Sequence, residues 1–194
     1  MNRLIIVLAM LFSAVSFASD TPYQLITKVG DELFTDIKAV NKDGKAQPDV
    51  MKNIVRSRLM PHIDVKFVSF KLLGKHIKGL QRADAVEFID AVDSYLVTTY
   101  ANALLQYKGQ EVRFEELPLG GDTEFATVKV VIKETSGPDI DMHFKFRQSK
   151  DGSWKVYDMV AEGISLLSAK QKEIISRISE VGLAQVTKEL KNKV

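Results

Sequence analysis

Apolar residues recur at helical spacing through the first half of this chain and alternate one in two through much of the second. Thr21-Pro22 reads as an N-cap and first-turn pair, with Leu25, Val29, Leu33, Phe34 and Ile37 following on one helical stripe. Pro48 opens a second helix containing Met51, Ile54, Val55 and Leu59, which Pro61 ends. Residues 65–79 predict a short helix with Phe67, Phe70, Leu72 and Leu73, broken by Gly74 or Gly79. The longest helix is predicted from Arg82 to Tyr107, where Val86, Ile89, Val92, Leu96, Tyr100, Ala103 and Tyr107 form one stripe.

After Gly109 the period becomes two. Val112 and Phe114 alternate with charged residues, and Ala126, Val128, Val130 and Ile132 share a face opposite Thr127 and Lys129. Met142, Phe144 and Phe146 alternate with His143, Lys145 and Arg147, and Trp154, Val156 and Asp158 alternate with Lys155, Tyr157 and Met159. Turns fall at Pro118, Gly120-Gly121, Gly137-Pro138 and Asp151-Gly152, the last a strong hairpin signal. Four strands joined this closely predict an antiparallel meander with one apolar face. Helical spacing then returns with Leu166, Leu167, Ile174, Ile175, Ile178 and Val181; Gly182 interrupts it, and Leu183, Val186 and Leu190 continue. Helices, a sheet and helices again make an α+β fold, with a four-stranded antiparallel sheet covered by helices.

The N-terminus carries a different pattern. Asn2 and Arg3 precede an uncharged run from Leu4 to Val15, and Ser16-Phe17-Ala18 places small residues at the positions of a cleavage site. A secretory signal peptide over residues 1–18, cut after Ala18, is the expectation. The run is shorter than the roughly 20 residues a membrane-spanning helix needs. Residues 19–194 are then expected to form a single exported, soluble domain. The chain has no cysteine, so neither disulfides nor a lipid-modified cysteine are available to it. With 27 basic against 25 acidic residues, it lacks the concentrated positive charge that nucleic-acid binding requires.

The polar residues do not assemble a reaction centre. His62, His76 and His143 are far apart in sequence and have no partner at metal-ligand spacing. Ser165 follows Gly163, but no second glycine completes a nucleophile elbow, and a serine there suits a helix N-terminus. Asp158 and Glu162 are four apart, at a predicted strand end and turn, where a cap or ion pair competes with acid–base work. There is no glycine-rich phosphate loop and no metal or cofactor motif. Lys71, Lys75, Lys78 and Arg82 would share one face if their segment stayed helical. Such a face is either simply solvated or contacts an anion, whether a phosphate head group, a membrane surface or an acidic partner.

Large hydrophobes are abundant on the predicted sheet face and on the helices facing it. That pattern fits a filled core, and it fits a sheet and helices enclosing an apolar pocket for a small molecule.

Several segments carry a family resemblance: Leu59-Met60-Pro61-His62-Ile63-Asp64, Leu72-Leu73-Gly74, Tyr100-Ala101-Asn102-Ala103-Leu104-Leu105-Gln106-Tyr107 and, most specifically, Tyr157-Asp158-Met159-Val160-Ala161-Glu162-Gly163-Ile164-Ser165. In this order they resemble the MlaC family of periplasmic phospholipid-binding proteins, also called the toluene-tolerance family. After the Leu-Gly step the chain has His76-Ile77 where the family tends to have aromatic residues. The resemblance implies a curved sheet and helices around a deep apolar cavity that holds acyl chains, with the head group near its mouth. It also implies a phospholipid carrier without a reaction of its own, working between an outer-membrane lipoprotein–porin complex and an inner-membrane ABC transporter bearing an MCE-domain ring, and so maintaining outer-membrane lipid asymmetry. No cofactor is implied beyond the phospholipid cargo. By alternation, Val128, Val130, Met142, Phe144, Phe146 and Val156 are expected to line the pocket from the sheet, and Leu96, Tyr100 and Leu104 from the long helix. The competing readings are a periplasmic interaction or scaffold domain with a solid core and, more remotely, a lipid-modifying enzyme.

Overall fold

In a computed structural model, which describes residues 20–41, 46–118, 124–134 and 136–193, helix α1 (Pro22–Val40) begins at a closed capping box. The Thr21 hydroxyl accepts from the Gln24 amide at 3.2 Å, and the Gln24 side-chain oxygen accepts from the Thr21 amide at 2.9 Å. The helix buries Ile26, Gly30, Leu33 and Ile37. Gly30 is small for a reason: a Cβ there would lie 2.5 Å from the Phe114 ring, so glycine lets the helix approach the sheet. The proposed signal peptide lies outside the described residues.

Helices α2 (Pro48–Arg58), α3 (Val65–Leu73) and α4 (Arg82–Leu104) follow, with single 3₁₀ turns at Met60–His62 and Gly74–Ile77. Pro48 and Pro61 sit in first turns, where a missing N–H costs nothing. Helix α4 ends at Leu104, three residues before the predicted end. Its fully buried side is Phe88, Ala91, Val92, Val97, Thr98 and Ala101, while Val86 and Ala103 of the predicted stripe are exposed. Neighbours contact this helix on more than one side, so its burial does not follow a single stripe.

The predicted basic stripe is not formed. Helix α3 stops at Leu73 because Gly74 takes φ 52°, and Lys71, Lys75, Lys78 and Arg82 fall on α3, the 3₁₀ turn, the loop after it and the start of α4. An Ile175 side-chain carbon lies 2.8 Å from where a Cβ on Gly74 would be, so the helix over Leu166–Val181 presses against the break.

The sheet is an antiparallel meander in the order β1-β2-β3-β4-β5: β1 (Glu111–Glu116), β2 (Phe125–Lys133), β3 (Ile140–Gln148), β4 (Trp154–Ala161) and β5 (Ile164–Ser165). Four strands are as predicted; the fifth corrects the expectation. It is two residues long, after a tight turn with Glu162 at φ 50° and Gly163 at φ 80°, and is too short to show alternation. Between β3 and β4 the register shifts. Lys145 faces Asp158 but Phe146 faces Val156, leaving Tyr157 as the extra residue of a bulge. The bulge breaks the alternation inferred for β4, and Phe144 pairs with Met159. Helices α5 (Leu166–Val181) and α6 (Leu183–Asn192) close the chain, separated by Gly182 at φ 81°.

Three apolar clusters hold these elements. One joins α3, α4, α5 and α6 through Leu72, Leu73, Phe88, Val92, Ile174, Ile178 and Val186. Another joins α1, α2 and α4 through Leu33, Ile37, Met51, Val55, Val97 and Ala101. In the third, Ile26 of α1 sits on Ala126, Val128, Val130 and Phe146 of the sheet, with Phe114, Met142, Phe144, Trp154 and Val156 packed around.

Candidate functional site: a cavity where three cores meet

Strand β4 is partnered on its outer edge only at its ends. Ile63 bridges Val156 in parallel, with the Asp64 amide donating to the Val156 carbonyl at 2.9 Å, and β5 pairs with Val160 and Ala161. Between these points, at the bulge, a cavity of about 390 Å³ opens. Its walls are Ile63, Val68 and Leu72 with α3; Tyr95, Leu96, Thr99 and Tyr100 of α4; Val156 to Met159 of β4; and Leu166, Leu167, Ala169, Lys170 and Glu173 of α5. Members or neighbours of all three clusters contribute: Leu72 and Val68 of the first, Tyr100 and Ile63 beside the second, Val156 beside the third. The cavity is the gap those cores leave where they converge. Thr99, Leu166, Ala169 and Glu173 are its solvent-exposed wall residues, so the mouth opens between α4 and the first two turns of α5.

Of the residues expected to line a pocket, Leu96, Tyr100 and Val156 lie in this wall. Val128, Val130 and Phe146 do not; they are buried against α1 in the third cluster, with Met142 and Phe144 packed on it. Leu104 packs on the second cluster. For the sheet residues the reason is that α1 lies on the apolar sheet face that alternation identified. Leu72, Leu166 and Leu167 belonged to apolar patterns already visible in the sequence, whereas nothing in the sequence set apart Thr99, Lys170 or Glu173.

Two polar groups shape the cavity. Asp158 is 8% exposed, and its carboxylate accepts from the Met159 amide at 2.8 Å, the Ser165 hydroxyl at 2.8 Å and the Leu167 amide at 3.0 Å. Ser165 in turn accepts from the Ser168 amide at 3.0 Å. Asp158 and Ser165 thus cap the start of α5 together and tie it to β4, a negative group satisfying the orphan donors of a helix N-terminus. Replacing Asp158 by Ala is expected to cost about 2 kcal/mol, through the lost cap and the stranded donors. Urea unfolding measures the loss, and Asp158→Asn recovers part of it. The second group is Tyr100. Burial first, then the charge of Asp158 and the neighbouring Tyr95, push its hydroxyl up to about 12, so it is neutral at any physiological pH.

No reacting constellation accompanies them. The hydroxyl of Ser165 is engaged by Asp158 and the helix start, with no histidine among the cavity walls. Among the described residues no group of three or more His, Asp or Glu could hold a metal ion. His62, beside the wall residue Ile63, has its pKa lowered by burial and then by the charge of Lys155. No helix among the described residues is long and apolar enough to cross a membrane.

A five-stranded antiparallel meander covered by helices, with a mostly apolar cavity against its fourth strand, defines an α+β fold. The chain belongs to the MlaC protein family, whose model matches residues 27–192. It is 31% identical over 177 residues to the intermembrane phospholipid transport system binding protein MlaC of Haemophilus influenzae, covering 90% of this chain and 83% of that one. Similarity to the toluene tolerance protein ttg2D of Pseudomonas putida is 23% identity over 167 residues, 86% of this chain and 77% of that one. The fold matches the crystal structure of a phospholipid-binding protein from Ralstonia solanacearum in complex with a phospholipid, with a TM-score of 0.76 at 20% identity, over 87% of this chain and 94% of that chain.

Proposed function

We propose that this chain is a periplasmic phospholipid carrier whose cavity holds acyl chain and whose mouth keeps the head group near water. The observation that carries the reading is the cavity itself: an apolar gap of about 390 Å³, open on one side, in a chain of the MlaC family. It lies in the usual size range of small-molecule sites. The phospholipid in the Ralstonia solanacearum relative supports the ligand class.

The energetics favour a carrier over a free ligand equilibrium. Removing acyl chain from water is worth about 0.8 kcal/mol per methylene, so two long tails amount to on the order of 20 kcal/mol. A bilayer already supplies most of that. Transfer between bilayer and cavity is therefore near balance, release into water is negligible, and exchange takes place in contact with a partner. In this reading the partners are an outer-membrane lipoprotein–porin complex and an inner-membrane ABC transporter bearing an MCE-domain ring, and the service is outer-membrane lipid asymmetry. The proposed leader, cut after Ala18, delivers residues 19–194 as a single lipid-binding domain free to leave both membranes. Such a carrier requires apolar volume and a docking surface, and no catalytic group or cofactor.

Gentle purification followed by denaturing mass spectrometry tests the reading. Intact phospholipid in stoichiometric amount is the expected result. An empty protein would favour a scaffold, and lysolipid or free fatty acid an enzyme.

A further inference from the structure

Among the described residues lining the cavity, Lys170 is the only cation. It sits on α5 at the mouth, one turn after Leu166 and flanked by exposed Ala169. Its Nζ lies over the Tyr95 ring, 5.2 Å from the ring centroid, a cation–π contact that joins α5 to α4 across the opening. Its ammonium is paired with Glu173 at 2.6 Å. The side chain of Glu173 is 54% exposed and that of Lys170 only 27%, so the cation faces the site and its partner faces solvent. An ion pair with so exposed a carboxylate is weak and easily exchanged. Asp158, the other charge in the wall, already accepts three hydrogen bonds and is not a competing partner.

We infer that Lys170 is the phosphate-binding residue of this cavity: when a lipid enters tails first, its phosphodiester takes the place of Glu173 on the Lys170 ammonium. This deepens the carrier reading and rests on it. Apolar walls accept any tail, and so do not separate a phospholipid from a diacylglycerol. A half-buried cation at the mouth does, because a charge-assisted hydrogen bond to a phosphate oxygen is available to the phospholipid and not to the diacylglycerol. The Tyr95 ring, with the Lys170 ammonium over its face, keeps the cation at the mouth while its anionic partner is exchanged.

The test measures binding of phosphatidylglycerol and of diacylglycerol with the same tails, by displacement of an uncharged fluorescent acyl ester. Wild-type protein is expected to prefer the phospholipid. Lys170→Met, which keeps the stem and removes the charge, is expected to lose about tenfold of that preference while binding diacylglycerol as before. Lys170→Arg is expected to keep it. An unchanged preference in Lys170→Met overturns the inference, whereas a wild-type protein that takes up neither lipid overturns the carrier reading beneath it. A second readout, the NMR signal of the Lys170 side chain, is expected to shift with phosphatidylglycerol and stay in place with diacylglycerol or inorganic phosphate. A shift on inorganic phosphate alone would overturn the assignment to lipid.

Discussion

Ala169→Trp is expected to empty the protein of phospholipid while leaving its stability nearly unchanged. Ala169 is exposed on α5 and belongs to the cavity wall at the mouth, between Leu166 and Glu173. An indole there projects across an opening bounded on the far side by Thr99 and Tyr95 of α4, and it occupies volume without displacing any residue of the three cores. Exposed substitutions of this kind change stability by about 0.5 kcal/mol or less. Co-purified phospholipid, quantified by mass spectrometry, is expected to fall at least about tenfold, a change of about 1.4 kcal/mol in binding. Thermal melting checks that the fold is intact. Wild-type lipid content in a folded variant would show that tails do not enter between α4 and α5.

Val130→Asp is expected to do something different: to prevent folding. Alternation alone makes Val130 a pocket residue, in which case an Asp there would leave a folded, empty protein. In the structure Val130 is 3% exposed, sits opposite Phe114 on β1 and Met142 on β3, and shares a cluster with Ile26 of α1. A carboxylate at that position would be buried among apolar side chains. The expected cost of burying an unpaired carboxylate there is more than about 5 kcal/mol, comparable with the roughly 5–15 kcal/mol by which a domain is stable. Loss of a cooperative urea transition is the expected measurement. A cooperative transition at the wild-type midpoint, together with lost phospholipid, would place the acyl chains on the sheet face under α1 instead.

These two variants separate what was legible from what was not. The starts of α1, α2 and α4, the four longer strands and the break at Gly182 all lie where local signals put them. Proline in a first turn, a capping box at Thr21 and Gln24, and residues with period two act within a few positions of themselves, so they survive as patterns in a linear sequence. The family was legible too, since the segment from Tyr157 to Ser165 contains the bulge, the buried Asp158 and the cap at Ser165 in one stretch.

The cavity was not legible, because it belongs to no single element. Whether the apolar face of the sheet is hollow or filled depends on where α1 lies, and Gly30 meets Phe114 across more than eighty positions of chain. The stripe of Lys71, Lys75, Lys78 and Arg82 failed for a comparable reason: the backbone turns at Gly74, against Ile175 of a helix a hundred positions on. The bulge at Tyr157 moves Met159 opposite Phe144, which no alternation can announce. By itself, then, the sequence determined the elements, their order and the family, all of which are local or compositional properties. Tertiary structure alone decided which apolar face is packed and which gap stays open, because a cavity is what remains when three cores, assembled from distant segments, converge without meeting.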